Sequence, residues 1–281
     1  MRRTRRIEIK TDAQLHAMRR AGLVVARVLE ELAATALPGV TTGDLDQLAR
    51  QILDDEGASS SFLGYGYPPF PAVLCASVND EVVHGIPGRR ELAEGDLLTL
   101  DFGAIVDGWH GDAAVSVAVG SASPEVLRLS EVTRAALWAG IAQAVPGNRL
   151  SDISHAVEAS VVSSRPPEGG RWGILREYGG HGIGTQMHME PHILNYGPAG
   201  RGPQLVPGMA VAIEPMVTLG SESVRVASDD WTVVTQDGSM SAHWEHTVAI
   251  TKDGPWVLTA ADGGAAELAR MGVSSPASSR P

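Results

Sequence analysis

Apolar residues recur at every third or fourth position in two stretches near the start of the chain. This is the period of a helix that buries one face. The first helix is predicted to begin at a capping box, Thr11–Gln14, and to end before Pro38. The second is predicted to run from near Thr42 to Gly57, because glycine accepts the left-handed backbone that commonly closes a helix.

A second pair of helices is predicted in the other half of the chain. Ser123-Pro124 supplies an N-cap followed by a proline at the first helical position, so a helix is expected from there to Pro146. Another is expected from about Ser151. The helix breakers also match, since the Leu-Pro-Gly of Leu37–Gly39 recurs as the Val-Pro-Gly of Val145–Gly147. An internal duplication explains this repetition.

Residues Leu97–Val119 change to a period of two, the pattern of strands with one buried face. Asp107-Gly108 lies between the two strands and is a strong hairpin turn signal. That turn sets a register in which Gly103 faces Asp112. Asp101 and Asp112 then share one face as diagonal neighbours, about 7–8 Å apart at the backbone. The apolar residues of the opposite face are Leu98, Leu100, Phe102, Val115 and Val117.

The two aspartates invite a metal ion, because adjacent carboxylates repel and a divalent cation removes that conflict. From this stretch alone, a pair of solvated aspartates on an edge hairpin remains an open alternative. The second half favours the metal site. Gly95–Asp101 matches Gly208–Glu214, and Trp109–Val115 resembles Ala242–Val248, with Glu245 in the place of the second aspartate. Two halves facing each other would bring four carboxylates to one centre.

Composition narrows the function classes. The chain has 281 residues and a net charge of −11, which argues against nucleic-acid binding in general and specific DNA binding in particular. Cys75 is the only cysteine, so no internal disulfide is possible and a reducing, cytoplasmic location is expected. No apolar run reaches the roughly 18 residues of a membrane span, and no apolar segment follows the basic start Arg2–Arg6 as an export signal requires. We expect a monomer with no membrane partner.

The chain is predicted to hold one domain between two flexible ends. Residues 1–10 are expected to be a basic arm, residues 11–260 the domain with halves at about 11–121 and 122–260, and residues 261–281 a tail rich in alanine, glycine and serine. The arginines of the arm are expected to be solvated. The alternative is a weak contact with an acidic surface such as ribosomal RNA.

Histidines add further candidate ligands. His181 lies in Gly179–Gly184, whose glycines allow close backbone approach but whose spacing excludes a dinucleotide-binding loop. His188–His192 lacks the spacing of a zinc-peptidase helix, and His84 precedes a turn. A single histidine is more often structural. Beside four carboxylates, at least one is expected to bind metal.

The acids and one histidine resemble a known metal site. In order, spacing and context they are similar to the five ligands of type I methionine aminopeptidases, here Asp101, Asp112, His181, Glu214 and Glu245. The supporting motifs, within about residues 11–255, are Asn79–Pro87, Gly108–Asp112, Gly180–Gly184, Pro207–Met216 and Ser241–Thr247. The resemblance implies an α/β (α+β) pita-bread fold: two pseudo-symmetric halves with a curved, mostly antiparallel sheet covered by helices.

The resemblance also implies an activity. It implies a dinuclear metallo-exopeptidase that removes the N-terminal methionine from nascent proteins with a small second residue, using two divalent ions such as Co, Mn, Fe or Zn. His84 and His188 would contact the scissile amide and its carbonyl, and Glu214 would be both ligand and proton shuttle. The residues implied for the methionine pocket are Tyr65, Tyr67, Cys75, Trp231, Phe62 and Met187. Phe62 departs from the cysteine common in bacterial relatives, and Met187 from an aromatic residue.

Other interpretations share this fold. A prolidase or aminopeptidase P usually carries a separate N-terminal domain, whereas a short arm precedes the first predicted helix here. A type II methionine aminopeptidase would need a helical insert, for which the interval from His188 to Glu214 has no room. A non-enzymatic pita-bread protein that binds nascent chains would have lost ligands, and all five are present.

Overall fold

The computed structural model describes residues 7–166 and 169–276. In these ranges the helices are α1 (Asp12–Thr35), α2 (Thr42–Glu56), α3 (Pro124–Ala142), α4 (Leu150–Ser163) and α5 (Ala265–Arg270). The strands are β1 (Ser59–Ser60), β2 (Leu74–Val78), β3 (Glu81–Val83), β4 (Leu97–Val106), β5 (Trp109–Ala118), β6 (Gly173–Ile174), β7 (Gly180–Gly182), β8 (Met189–Ile193), β9 (Ala210–Ile213), β10 (Met216–Thr218), β11 (Val224–Val226), β12 (Val233–Thr235), β13 (Ser241–His243), β14 (Glu245–Thr251) and β15 (Gly254–Val257).

The four long helices begin close to their predicted starts, while α3 ends at Ala142 rather than at the predicted Pro146. The side chain of Thr11 accepts a hydrogen bond from the backbone N–H of Gln14, and the Gln14 side-chain oxygen accepts one from the backbone N–H of Thr11, which completes the predicted capping box. Gly57 closes α2 in the left-handed conformation, with φ 62°. Ser123 caps α3, and a proline follows it. The predicted helix pairs are therefore confirmed in both halves.

A nine-stranded sheet runs through both halves in the order β1-β4-β5-β14-β9-β7-β8, with β2 also paired to β4 and β15 to β14. Every strand pair in it is antiparallel. The two halves join where β5 meets β14, through the pairs Glu245–Ala114 and His246–Ala113. This junction brings an acid-bearing strand of one half beside an acid-bearing strand of the other.

The β4–β5 hairpin has the predicted register, with Gly103 opposite Asp112 and Asp101 opposite Ala114. Asp107 and Gly108 form its turn with φ values of 50° and 79°. On the face away from the aspartates, the apolar side chains of β4 are fully buried and pack under α1 and α2. The corresponding face of β9 and β14 packs under α3 and α4. The same layer arrangement in both halves explains the sequence repeat.

The described parts of both predicted ends contact the domain. Lys10 is buried: its backbone N–H donates to the Gly208 carbonyl at 2.8 Å and its Nζ donates to the Ile183 carbonyl at 2.6 Å. At the other end α5 places Leu268 in the core of the second half, fully buried. Leu268 was not predicted to be buried because its alanine- and glycine-rich segment shows no helical period. Residues 1–6 and 277–281 lie outside the described residues.

In the described part of the chain, no helix combines the length and apolar character that crossing a bilayer requires.

Candidate active site

A cavity of about 160 Å³ lies where the two halves meet. All five predicted metal ligands line it, together with both predicted substrate histidines. The lining residues are Phe62, Tyr65, Phe70, Cys75, Val83, His84, Asp101, Asp112, Tyr178, Gly179, His181, Met187, His188, Glu214, Met216, Trp231, His243 and Glu245. The fold thus gathers side chains from both halves of the sequence into one site.

The four carboxylates have no basic partner in the described residues other than histidine. Asp101, Asp112 and Glu245 are 9%, 4% and 2% exposed, and each has one buried oxygen without a hydrogen bond. Burial raises the pKa of Asp112 to about 7. Burial, followed by the charge of neighbouring acids, raises the pKa of Asp101, Glu214 and Glu245 well above its usual range. Buried carboxylate oxygens that converge without hydrogen-bond partners are suitable ligands for divalent cations.

His181 lies on β7 with one ring nitrogen free to face the acids. Its Nδ1–H donates to the Gly182 carbonyl at 3.0 Å, and its Nε2 lies 3.6 Å from Glu214 Oε1. Burial and the neighbouring His188 lower the pKa of His181 to about 3, so the imidazole is neutral, as a ligand must be. One potential ligand atom from each of Asp112, His181 and Glu245 lies within 4.8 Å of the others.

The glycines around His181 are required by close packing. A Cβ at Gly180 would lie 2.2 Å from the Ala212 carbonyl oxygen, and one at Gly182 would lie 2.1 Å from the Glu190 carbonyl oxygen. Both distances are far inside van der Waals contact. The close backbone approach predicted for this segment is therefore confirmed, and it holds β7 between its two neighbours.

His84 and His188 contact different walls of the cavity. His84 has φ 60°, and its ring packs edge-on against Tyr178 and Trp231. Burial, with a contribution from His188, lowers the pKa of His84 to about 4. His188 shares a 2.6 Å hydrogen bond between its Nδ1 and the Tyr65 hydroxyl. Burial also lowers the pKa of His188, so both imidazoles are neutral near pH 7.

One wall of the cavity is apolar. Phe62, Phe70, Cys75 and Met187 form a buried cluster with Trp231 against its edge. Burial, reinforced by the charge of Asp101 and other acids, raises the pKa of the Cys75 thiol well above its usual value. Cys75 is thus a protonated, weakly polar wall residue. Phe70 was not predicted as a pocket residue because the proline-rich segment around it shows no hydrophobic period.

Tyr67 is the one predicted pocket residue that the structure does not bring to the cavity. It is 97% exposed and does not line the cavity. Gly66, with φ 72°, lies close against Trp231, and Trp231 Nε1 donates to the Pro68 carbonyl at 3.0 Å. The loop is held to the indole by these contacts, which leave the Tyr67 side chain on the outside.

Tyr178 and His243 are polar cavity residues that sequence reasoning also missed. His243 is the last residue of β13, two positions before Glu245, so period-two alternation could have placed it beside that acid. Its Nε2 lies 3.8 Å from Glu214 Oε2 and 3.8 Å from Glu245 Oε2. Tyr178 directly precedes the glycine segment and gave no signal of its own.

Known proteins share this arrangement. Residues 16–252 match the metallopeptidase family M24. Methionine aminopeptidase 1 of Mycobacterium tuberculosis is 52% identical over 252 residues, 89% of this chain and 94% of that protein. Methionine aminopeptidase 1 of Bacillus subtilis is 47% identical over 250 residues, 89% of this chain and 98% of that protein.

A crystal structure of the methionine aminopeptidase from Thermotoga maritima superimposes with a TM-score of 0.86 at 40% identity, covering 91% of this chain and all of that one. The expected pita-bread architecture is therefore confirmed. Relatives of this identity and coverage favour a methionine aminopeptidase over a prolidase, an aminopeptidase P or a non-enzymatic binder. The chain belongs to the methionine aminopeptidases of metallopeptidase family M24, whose members use divalent metal.

Proposed function

We propose that this protein removes the N-terminal methionine from polypeptides with a small second residue, by metal-assisted hydrolysis of the first peptide bond. The observation that carries the proposal is the set of buried, unpaired carboxylate oxygens and the neutral His181 beside an apolar wall. The acids fit a metal centre, and the apolar wall fits an uncharged, flexible thioether side chain.

Two divalent ions would be held by Asp101, Asp112, His181, Glu214 and Glu245. Four carboxylates balance the formal charge of two dications, which supports two ions over one. When bound, such a pair supplies a water of lowered pKa and polarises the attacked carbonyl. One imidazole among oxygen ligands is compatible with Co, Mn, Fe or Zn.

Glu214 is proposed to carry the proton. Its side chain stands beside His181 and His243, and it is 12% exposed, so it reaches the cavity while remaining shielded from bulk water. As a carboxylate it accepts a proton from the attacking water and later delivers it to the leaving amine. One group can serve both steps because they follow one another on the same proton.

His84 and His188 are proposed to bind the scissile amide and its carbonyl. Their lowered pKa values keep both rings neutral, so each ring presents one N–H donor and one acceptor nitrogen. If the Tyr65 hydroxyl donates to His188 Nδ1, the remaining proton of that ring lies on Nε2. A positioned N–H of this kind stabilises the oxyanion that develops during attack.

The wall formed by Phe62, Phe70, Cys75 and Met187 is proposed to bind the methionine side chain, with Tyr65 and Trp231 at its edge. A single buried cysteine supports a reducing, cytoplasmic setting. Nascent polypeptide N-termini are the proposed partners. Ribosome contact through the basic arm stays a prediction because its arginines lie outside the described residues, and the monomeric state also stays a prediction.

The test is mass spectrometry of short peptides after incubation with metal-loaded protein. Release of methionine from Met-Ala-Ser, with no cleavage of Met-Arg-Ser or of an Ala-Pro peptide, is the expected result. Incubation of the same protein after exhaustive chelation is the control and should leave all three peptides intact. Cleavage of the Ala-Pro peptide alone would instead assign a proline-directed aminopeptidase.

A further inference from the structure

His243 is a buried histidine whose ring has no hydrogen bond. Its side chain is 2% exposed, and neither Nδ1 nor Nε2 has a hydrogen-bond partner among the described residues. By contrast, His181 and His246 each engage Nδ1, with the Gly182 carbonyl and the Thr259 hydroxyl. Leaving two buried polar atoms unsatisfied is costly, so they call for an unseen partner.

The backbone of His243 is held in place by the first half of the molecule. Its N–H donates to Ser116 Oγ at 2.9 Å, and Ser116 Oγ–H donates to the His243 carbonyl at 2.9 Å. On the other side β13 pairs with β10, with His243 opposite Met216. The ring is therefore aimed into the cavity by a rigid support, which is how metal ligands are positioned.

His243 lies close enough to each of two acids to share an ion with it. Its Nε2 is 3.8 Å from Glu214 Oε2 and 3.8 Å from Glu245 Oε2, both too long for hydrogen bonds. Two donors to one ion, each at about 2.0–2.2 Å from it, lie at most about 4.3 Å apart. On the other side of Glu214, His181 Nε2 has the same relation to Oε1 at 3.6 Å.

We propose that His243 is a further metal ligand, so that an imidazole nitrogen stands on each side of the Glu214 carboxylate. This inference rests on the proposed metal centre and adds one ligand to it. A second nitrogen donor strengthens binding of the ion nearest β13 and favours Co or Zn over Mn, because imidazole suits the former and oxygen ligands the latter.

The test is made on metal-free full-length protein titrated with Co²⁺. Calorimetry of His243→Gln should show at least about tenfold weaker binding of one ion, with the other ion little affected. His192→Gln, a nearby exposed histidine outside the cavity, is the matched control and should bind like the wild type. In the proton NMR spectrum of the Co²⁺ wild type, two strongly shifted exchangeable imidazole resonances are expected, and one should disappear in His243→Gln.

The possible outcomes separate this inference from the proposed function. A single shifted imidazole resonance in the wild type, or unchanged Co²⁺ affinity in a folded His243→Gln, overturns the ligand role. Unchanged affinity with a lowered kcat would also overturn it and would make His243 a positioning residue for Glu214. A wild type that binds no divalent ion, or cleaves no methionine peptide, would refute the proposed function itself. The wild-type spectrum decides the matter even where a variant fails to fold.

Discussion

In the first half, Asp101 and Asp112 project from two ten-residue strands joined by a two-residue turn. In the second half, Glu214 follows a four-residue strand, and Glu245 begins a seven-residue strand far along the chain. The continuous hairpin holds short acids rigidly. The interrupted second half uses longer acids and has room for β10 to β13 between them. Among the described residues, the two histidines with a ring nitrogen 3.6–3.8 Å from an acid of the proposed metal centre, His181 and His243, both lie in this interrupted half.

This difference assigns separate tasks to the two halves. Two hydrogen bonds fix the hairpin of the first half to the second half. Asp112 N–H donates to Thr247 Oγ1 at 3.0 Å, and Thr247 Oγ1–H donates to the Asp112 carbonyl at 2.8 Å. The second half supplies Glu214, which is proposed to move the proton, and His188, one of the two histidines proposed to bind the scissile amide. Substitutions in the first half should therefore mainly reduce metal binding, whereas substitutions in the second half should mainly reduce kcat.

The largest effect is expected in the hairpin of the first half. Asp112→Asn removes a ligand charge but leaves these backbone bonds, so metal should be lost and peptide hydrolysis should fall to background while the melting temperature of the metal-free protein is maintained. Elemental analysis, peptide mass spectrometry and thermal melting measure the three quantities. Asp107→Asn, in the exposed turn of the same hairpin, should change none of them. Full metal content in Asp112→Asn would contradict its role as a ligand.

Glu214→Gln tests the proton transfer that is proposed for the second half. It keeps one ligand oxygen but removes the proton acceptor, so kcat should fall by roughly 10²-fold or more, in line with general acid–base contributions. The defect should persist at saturating metal, because added metal cannot restore a base. Recovery of near wild-type kcat in excess metal would make Glu214 a ligand alone. Glu222→Gln, on the surface, is the control.

His188→Ala should lower kcat by about 10²–10³-fold, the usual cost of losing one oxyanion donor. Metal content should stay at the wild-type value, in contrast to the aspartate variant. Tyr65→Phe removes one neutral hydrogen bond to that ring and should cost about tenfold or less. Loss of a metal equivalent in His188→Ala would show that this ring is a ligand; His192→Ala serves as the control for both measurements.

The pH dependence of the metal-free protein separates the acids from the rest of the fold. The folded-state pKa of Asp112 is raised to about 7 from 3.8. A raised carboxyl pKa favours the folded state while the acid is protonated, so stability should fall as pH rises from about 4 to 7. Melting at several pH values should show this slope in the metal-free wild type and a smaller one in Asp112→Asn, since asparagine cannot ionise. An identical slope in both would assign the effect elsewhere.

The smallest effects are expected around the pocket wall, where Tyr67 of the first half lies outside the cavity and Met187 of the second half lines it. Tyr67→Ala should leave kcat/KM for methionine peptides within about twofold, because its side chain is almost fully exposed. Met187→Ala, 5% exposed, should lower kcat/KM by about tenfold or more through lost apolar contact. Steady-state kinetics on one peptide compares the two. A large loss in Tyr67→Ala would mean that its loop closes over bound substrate.

Turn signals, hydrophobic periods and helix caps were enough to predict the hairpin and the helix starts. The Asp107-Gly108 turn and the period-two pattern determine the register that puts Asp101 and Asp112 on one face, since both act over neighbouring residues. The caps at Thr11 and Ser123 determine where two helices start. The sequence repeat also pointed to Glu214 and Glu245 as counterparts of the aspartates, without showing how closely the halves approach.

Tertiary structure decided the features that depend on distant partners. In the nine-stranded sheet the halves join through two residue pairs between β5 and β14, which no periodicity encodes. His243 becomes a site residue only because Ser116 and β10 hold its backbone, and Tyr67 turns outward only because its loop packs on Trp231. Leu268 likewise has no partner within its own alanine- and glycine-rich segment until it packs into the core of the second half. Periods and turns act within a segment, whereas burial and cross-strand pairing are fixed only when segments meet.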